Sequence, residues 1–207
     1  SYQGVPAIIL FARDIRERLA LQRAVDEQQA VVREQNRELL SSIRYAQRIQ
    51  RAVLPEADQL QDLIPESFIL FRPRDIVSGD LYWFAQQDER IVVAAADCTG
   101  HGVPGALLSL IAASLFQENV VEKCIVEPGR VLDAAREGMV HALNKQEGAS
   151  DQRDGMNAGV VSIDKARMEL SYAGAFAPLF VIRRGELIEH KGDRMPIGSA
   201  EGEWKRF

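Results

Sequence analysis

Three acidic positions in this chain sit beside glycines at the ends of expected strands. Ser78-Gly79-Asp80 opens one strand, Asp97-Cys98-Thr99-Gly100-His101-Gly102 closes another, and Asp154-Gly155-Met156 opens a third. Asp97 ends the apolar run over residues 91–96, so its carboxylate belongs at the mouth of a sheet. Gly100 and Gly102 let the backbone turn tightly and approach a ligand closely. The helix expected from Val103-Pro104 adds N-terminal amides that attract anions. A carboxylate, a glycine turn and a helix start together suit a divalent cation with a phosphate ligand, because hard cations such as Mg²⁺ and Mn²⁺ prefer oxygen. Each feature taken alone is equally a turn former or a helix cap.

Other chemistry-bearing residues stand near these turns. His101 is a candidate proton donor, or a residue packed beside the glycine turn. Arg72 and Arg74 are candidates to hold a phosphate, or solvated charges flanking a strand. Cys98 reads as a small packing residue, since no base or cation is evident to activate its thiol. Cys98 and Cys124 make neither a disulfide framework nor a zinc-ligand spacing, which fits a reducing, cytoplasmic setting.

The elements that must position these residues follow from periodicity. Residues 67–72, 80–86 and 90–96 read as strands, the last two joined by a hairpin at Gln87-Asp88-Glu89. Residues 103–122 and 128–144 read as helices, with Pro128 in the first turn of the second. Residues 158–163, 168–172, 179–183 and 186–189 alternate like antiparallel strands. Strands, then a helix pair, then strands suggest an α+β fold with helices packed on a sheet. Residues 98–117 carry no formal charge, but the apolar part runs only from Val103 to Phe116. A membrane span needs roughly 20 mostly apolar residues, so a buried core helix is expected and no membrane contact.

The chain has 207 residues, 46% of them hydrophobic and 27% charged, which allows one good core plus an appendage. Its net charge is 25 − 30 = −5, which argues against a nucleic-acid binder. Residues 11–53 hold nine Arg and six acids and lack Gly and Pro, whereas residues 54–207 hold sixteen basic and twenty-four acidic residues. That shift marks a boundary near Leu54-Pro55. Asp14, with Glu17 three residues on, reads as a capping box opening one long helix. In it Val25, Val32, Leu39, Ala46 and Val53 recur every seven residues, beside a polar seam of Gln22, Gln29, Asn36, Ile43 and Gln50. Both a marginal coiled-coil dimer and a solvated amphipathic helix fit this pattern, and the dimer is expected.

The motifs also carry a resemblance. "RPRDIVSGDLYWF", "AAADCTGHGVPGALLS", "DGMNAGVVSID", "LSYAGAFAPLFVIRRGEL" and "GDRMPIGS" resemble, in order, the motifs of the SpoIIE/RsbU-type branch of the metal-dependent PPM (PP2C-like) serine/threonine phosphatases. "SIRYAQRIQRAVLP" resembles the helix leading into that domain, and the match runs from about Ser41 to the C-terminus. Residues 5–11 with the following "DIRER" resemble the exit strand of a PAS sensor. The resemblance implies a PAS tail over residues 1–13, a coiled-coil linker over 14–54 and a phosphatase domain over 55–207. The implied fold is α+β: a PPM-type β-sandwich flanked by helices, C-terminally incomplete and preceded by a long coiled-coil helix.

What the family does can be carried over by position. Asp80 and Asp97 match carboxylates that hold two divalent cations, Mn²⁺ or Mg²⁺, and the backbone carbonyl of Cys98 matches a further ligand. Asp154 matches an acidic position serving a third, looser metal. Two cations about 4 Å apart can hold a nucleophilic water and neutralise phosphoryl charge. The implied substrate is a phosphorylated STAS-type regulatory protein in a bacterial signalling pathway, under control of an upstream sensor, with a homodimer through residues 14–54. Ser78 replaces the family's usual glycine, and Asn157 stands where relatives often carry Asp. The family's later "S-D-G" turn and final Asp do not occur within these 207 residues, so the metal site is expected to be incomplete in this chain, which reads as a fragment, inactive by itself, rather than as a degenerate enzyme. The competing reading is a non-catalytic, dimerising pseudophosphatase that binds its partner without turnover.

Overall fold

The computed structural model describes residues 14, 16–143, 154–198 and 205–207. The PAS-like tail expected over residues 1–13 lies outside them. The chain divides into two compact units, Ser1–Ser42 and Ile43–Phe207.

Helix α1 spans Arg16–Val53. The Asp14 carboxylate accepts the Arg16 N–H at 3.0 Å, satisfying one of the free donors at the helix start. In the first unit every described side chain is exposed, including Val25, Val32 and Leu39. Local pairs such as Gln22–Asp26 and Arg37–Glu34 support the helix there, each contributing about 0.2–0.5 kcal/mol.

In the second unit α1 acquires a face. Ile43, Ala46 and Gln47 are half-buried and Gln50 is buried, the i, i+3, i+4, i+7 pattern of a packed helix. A short helix α2 (Gln59–Leu63) follows, begun by the Asp58 carboxylate. Residues 67–72 do not form the expected strand. Phe68 and Leu70 alternate as a strand would, but they face solvent, and no described segment pairs with them. Alternation needs a partner ladder before it becomes a strand.

The sheet is antiparallel and runs in the order β1 (Asp80–Gln87), β2 (Arg90–Cys98), β3 (Gly155–Asp164), β4 (Glu169–Ala175). Strands β5 (Leu179–Arg183) and β6 (Glu186–His190) form a separate hairpin, and β7 (Ile197–Gly198) pairs with the start of β3. Helix α3 (Gly102–Phe116) continues into a π-helical turn over Gln117–Glu122, where Lys123 N–H reaches back five residues to the Glu118 carbonyl. Helix α4 covers Pro128–Leu143.

Helices α3 and α4 pack on one face of the sheet. That face presents Leu81 and Trp83 from β1, Val92, Ala94, Ala96 and Cys98 from β2, and Met156, Ala158 and Val160 from β3. The helices answer with Ala112, Phe116, Leu132, Ala135 and Met139. Gly102–Glu122 is apolar enough, by length and composition, to cross a membrane. Its Ala112, Ala113, Phe116 and Val120 are instead packed into this core.

The register fixes the other face. Because side chains alternate along a strand, residues opposite the helices fall into rows across β1, β2 and β3. The first row is Asp80, Asp97 and Asn157, and the next is Tyr82, Ala95 and Gly159.

Candidate metal centre

Asp80 is the first residue of β1 and pairs with Asp97, the penultimate residue of β2. Two carboxylates directly opposite one another repel unless a proton or a cation lies between them. Loss of hydration first, and then the neighbouring Asp97 carboxylate, raise the Asp80 carboxyl above its ordinary range. Asn157 completes the row from β3, so the third position is neutral.

The backbone around the pair is tightly interlocked. Gly79 O accepts the Cys98 N–H at 3.2 Å. A Cβ on Gly79 would come within 3.0 Å of both the Cys98 and Gly100 carbonyl oxygens. A Cβ on Gly105, in the first turns of α3, would lie 2.6 Å from the Gly100 oxygen and 3.2 Å from Gly79 Cα. Three segments therefore meet where only glycine fits. Gly100 and Gly102 have φ of +84° and +66°, a conformation that L side chains rarely adopt.

Cys98 is buried on the helix-facing side, and burial followed by the Asp97 and Asp80 charges pushes its thiol up to about 12. Its side chain is a packing group, as expected, while its main chain borders the acid pair. Thr99 joins this turn to the third acidic position. Its N–H donates to Gly155 O at 2.9 Å, its hydroxyl contacts Asp154 Oδ1 at 3.4 Å, and Gly155 N–H donates to Thr99 Oγ1 at 3.1 Å. Asp154 is thereby held beside the exit of β2.

His101 occupies the N-cap position of α3 without capping it through its side chain. Its Nδ1 lies 3.4 Å from Asp75 Oδ2, and both side chains are exposed. Arg72 and Arg74 are exposed in the irregular stretch before β1, and no described contact brings them to the acid pair. Asp75, Thr99 and Gln50 were not legible as site residues in the sequence. Gln50 is one of four polar residues in its seam, so nothing local sets it apart.

The residues present fit a divalent cation. Asp80, Asp97 and the Cys98 and Gly100 carbonyls offer only oxygen, and a cation would relieve the repulsion between the two opposed carboxylates. Among the described residues no three His, Cys, Asp or Glu side chains converge. A cation here would therefore complete its shell with main-chain oxygen or water.

The comparisons with known proteins bear on the same segment. The family model of stage II sporulation protein E (SpoIIE) matches residues 87–206. The SiaA-PP2C domain of Pseudomonas aeruginosa aligns over 83% of this chain and 67% of its own, at 33% identity and a TM-score of 0.71. The PP2C phosphatase domain of SpoIIE from Bacillus subtilis, solved with a fragment of its regulatory domain, aligns over 59% of this chain at 16% identity and a TM-score of 0.47. The RsbU and RsbW domains of Rv1364c from Mycobacterium tuberculosis align over 62% at 20% identity and a TM-score of 0.48. The chain spans 34% of each of these last two structures. No curated protein matches it by sequence. The chain belongs to the SpoIIE family, whose domain is of the PPM (PP2C-like) phosphatase type.

Proposed function

We propose that this chain is the metal-dependent phosphatase module of a bacterial signalling protein, cleaving phosphate from serine or threonine of a regulatory protein. The observation that carries this reading is the Asp80–Asp97 pair, directly opposed at the open end of two strands and bordered by main-chain carbonyls. When bound, Mn²⁺ or Mg²⁺ ions supply an activated water and neutralise charge on the phosphoryl group. Asp80 and Asp97 would hold them through their carboxylates, the Cys98 carbonyl would add a neutral oxygen, and Asp154 would serve a looser third ion. His101, with its Nδ1 beside Asp75, would be the donor of a proton to the departing serine oxygen. Arg72 and Arg74 are available to the substrate phosphate. No side-chain nucleophile is needed, and the raised Cys98 thiol could not serve as one.

The substrate that fits the family is a phosphorylated STAS-type protein. Residues 14–54 pair two copies into a homodimer, because the exposed apolar positions Val25, Val32 and Leu39 follow a heptad. The neutral Asn157 in the acid row favours a second reading, a module that binds a phosphoprotein without turning it over.

One assay separates the two. Mn²⁺-dependent phosphate release from a phosphoserine protein by the intact protein, abolished by Asp97→Asn, supports the phosphatase. Binding of that phosphoprotein with no release at any Mn²⁺ concentration supports the second reading.

A further inference from the structure

We propose that Gln50 is a positioning residue for Asp80, acting through the main chain of Ser78. The proposal rests on the phosphatase reading for its purpose, although the geometry stands without it.

Ser78 is buried and lies outside the sheet, so its N–H and C=O have no strand partner. Gln50 supplies both. Its Nε2 donates to Ser78 O at 2.6 Å, and its Oε1 accepts Ser78 N–H at 3.2 Å. One side-chain amide thus does for Ser78 what a neighbouring strand would do.

The orientation of that amide is fixed. Its second Nε2 hydrogen goes to Ser109 Oγ at 2.7 Å, and Ser109 donates its own hydroxyl hydrogen to Ala106 O at 2.8 Å. Turning the amide over would set oxygen against the Ser78 carbonyl and NH₂ against the Ser78 N–H. Gln50 is 5% exposed, so water cannot stand in for a lost partner.

The link to the acid pair is short. Ser78 Oγ accepts the Asp80 N–H at 3.0 Å. Gly79, between them, is pressed against the Cys98 and Gly100 carbonyls and accepts the Cys98 N–H. The segment leading into Asp80 is therefore held from two sides: by the exit of β2, and by α1 through Gln50. Gln47, one turn earlier, reinforces the second hold by donating to Ile76 O at 2.6 Å. Leucine at position 50 would keep the packing and lose the three hydrogen bonds that Gln50 makes to Ser78 and Ser109.

Three measurements on the full chain test this. The first is amide exchange without metal. Ser78 and Asp80 N–H should be protected in the wild type, and fast exchange at Ser78 overturns the proposal whether or not any variant folds. The second is the same exchange in Gln50→Leu and in Gln50→Glu, which keeps the acceptor but not the donors. Protection at Ser78–Asp80 should fall at least about tenfold while β3 is unchanged. The third is Mn²⁺ binding followed by electron paramagnetic resonance. Groups that orient a ligand typically change metal affinity by about 10–100-fold, and a weakening of that size is expected here. Val131→Ala, a core change in α4, controls for lost stability and should leave Mn²⁺ affinity where it was. Folded Gln50 variants with wild-type exchange and wild-type Mn²⁺ affinity would also overturn the proposal. If Asp97→Asn leaves Mn²⁺ binding intact, the metal site fails instead, and the exchange result at Ser78 still decides the clamp.

Discussion

Asp80 and Asp97 form the terminal pair of the β1–β2 ladder, one directly opposite the other. A sheet designed for stability alone would not place like charges there. Opposed like charges in a ladder are destabilising, on the scale of about 0.2–1 kcal/mol for such pairs.

Asp97→Asn should accordingly raise the thermal midpoint of the metal-free protein slightly. It should also remove the stabilisation that Mn²⁺ gives the wild type, which at a hundredfold excess over the dissociation constant is about 2.7 kcal/mol. Thermal unfolding with and without Mn²⁺ checks both parts. A fall in the metal-free midpoint would contradict the repulsion argument.

Gly105→Ala sets two effects against each other. Alanine favours a helix over glycine by about 0.8–1 kcal/mol. Its Cβ would lie 2.6 Å from the Gly100 oxygen, a backbone atom that cannot swing away as a side chain can. Overpacking of this kind costs about 1–3 kcal/mol, so a net loss of stability and weaker Mn²⁺ binding are expected. Chemical denaturation and Mn²⁺ titration measure the two outcomes.

The two thiols should differ widely in reactivity. Cys124 is exposed, while Cys98 is 2% exposed with its thiol pushed up to about 12. At pH 8 the Cys98 thiol would therefore stay almost wholly protonated. Alkylation of the native protein should label Cys124 quickly and Cys98 only on unfolding, as peptide mass spectrometry would reveal. Rapid labelling of Cys98 in the folded protein would show that the β2 exit is open.

Helix α1 offers a test of pairing that leaves the acid pair untouched. Asn36 is exposed in the polar seam, and a polar residue at such a position lowers coiled-coil stability. Asn36→Ile should increase the dimer fraction at a fixed concentration, and Leu39→Lys should decrease it, by sedimentation velocity. Gln50 lies in the same seam by sequence, but its side chain is committed to Ser78 and Ser109, so changing it tests the clamp and not the pairing.

The sequence alone determined the local elements and the residue types at the site. The apolar run before Asp97 made β2 readable, the spacing of Val131, Leu132, Ala135 and Met139 made α4 readable, and the ordered motifs named the family. These are properties of neighbouring residues, and short-range periodicity records them. Tertiary structure decided what depends on partners far along the chain. It set the register that puts Asp80, Asp97 and Asn157 in one row, left residues 67–72 without a ladder, and turned Gln50 inward onto Ser78. No local pattern encodes those outcomes, because a strand's register and a buried amide's partners are chosen by packing and by the need to satisfy main-chain hydrogen bonds.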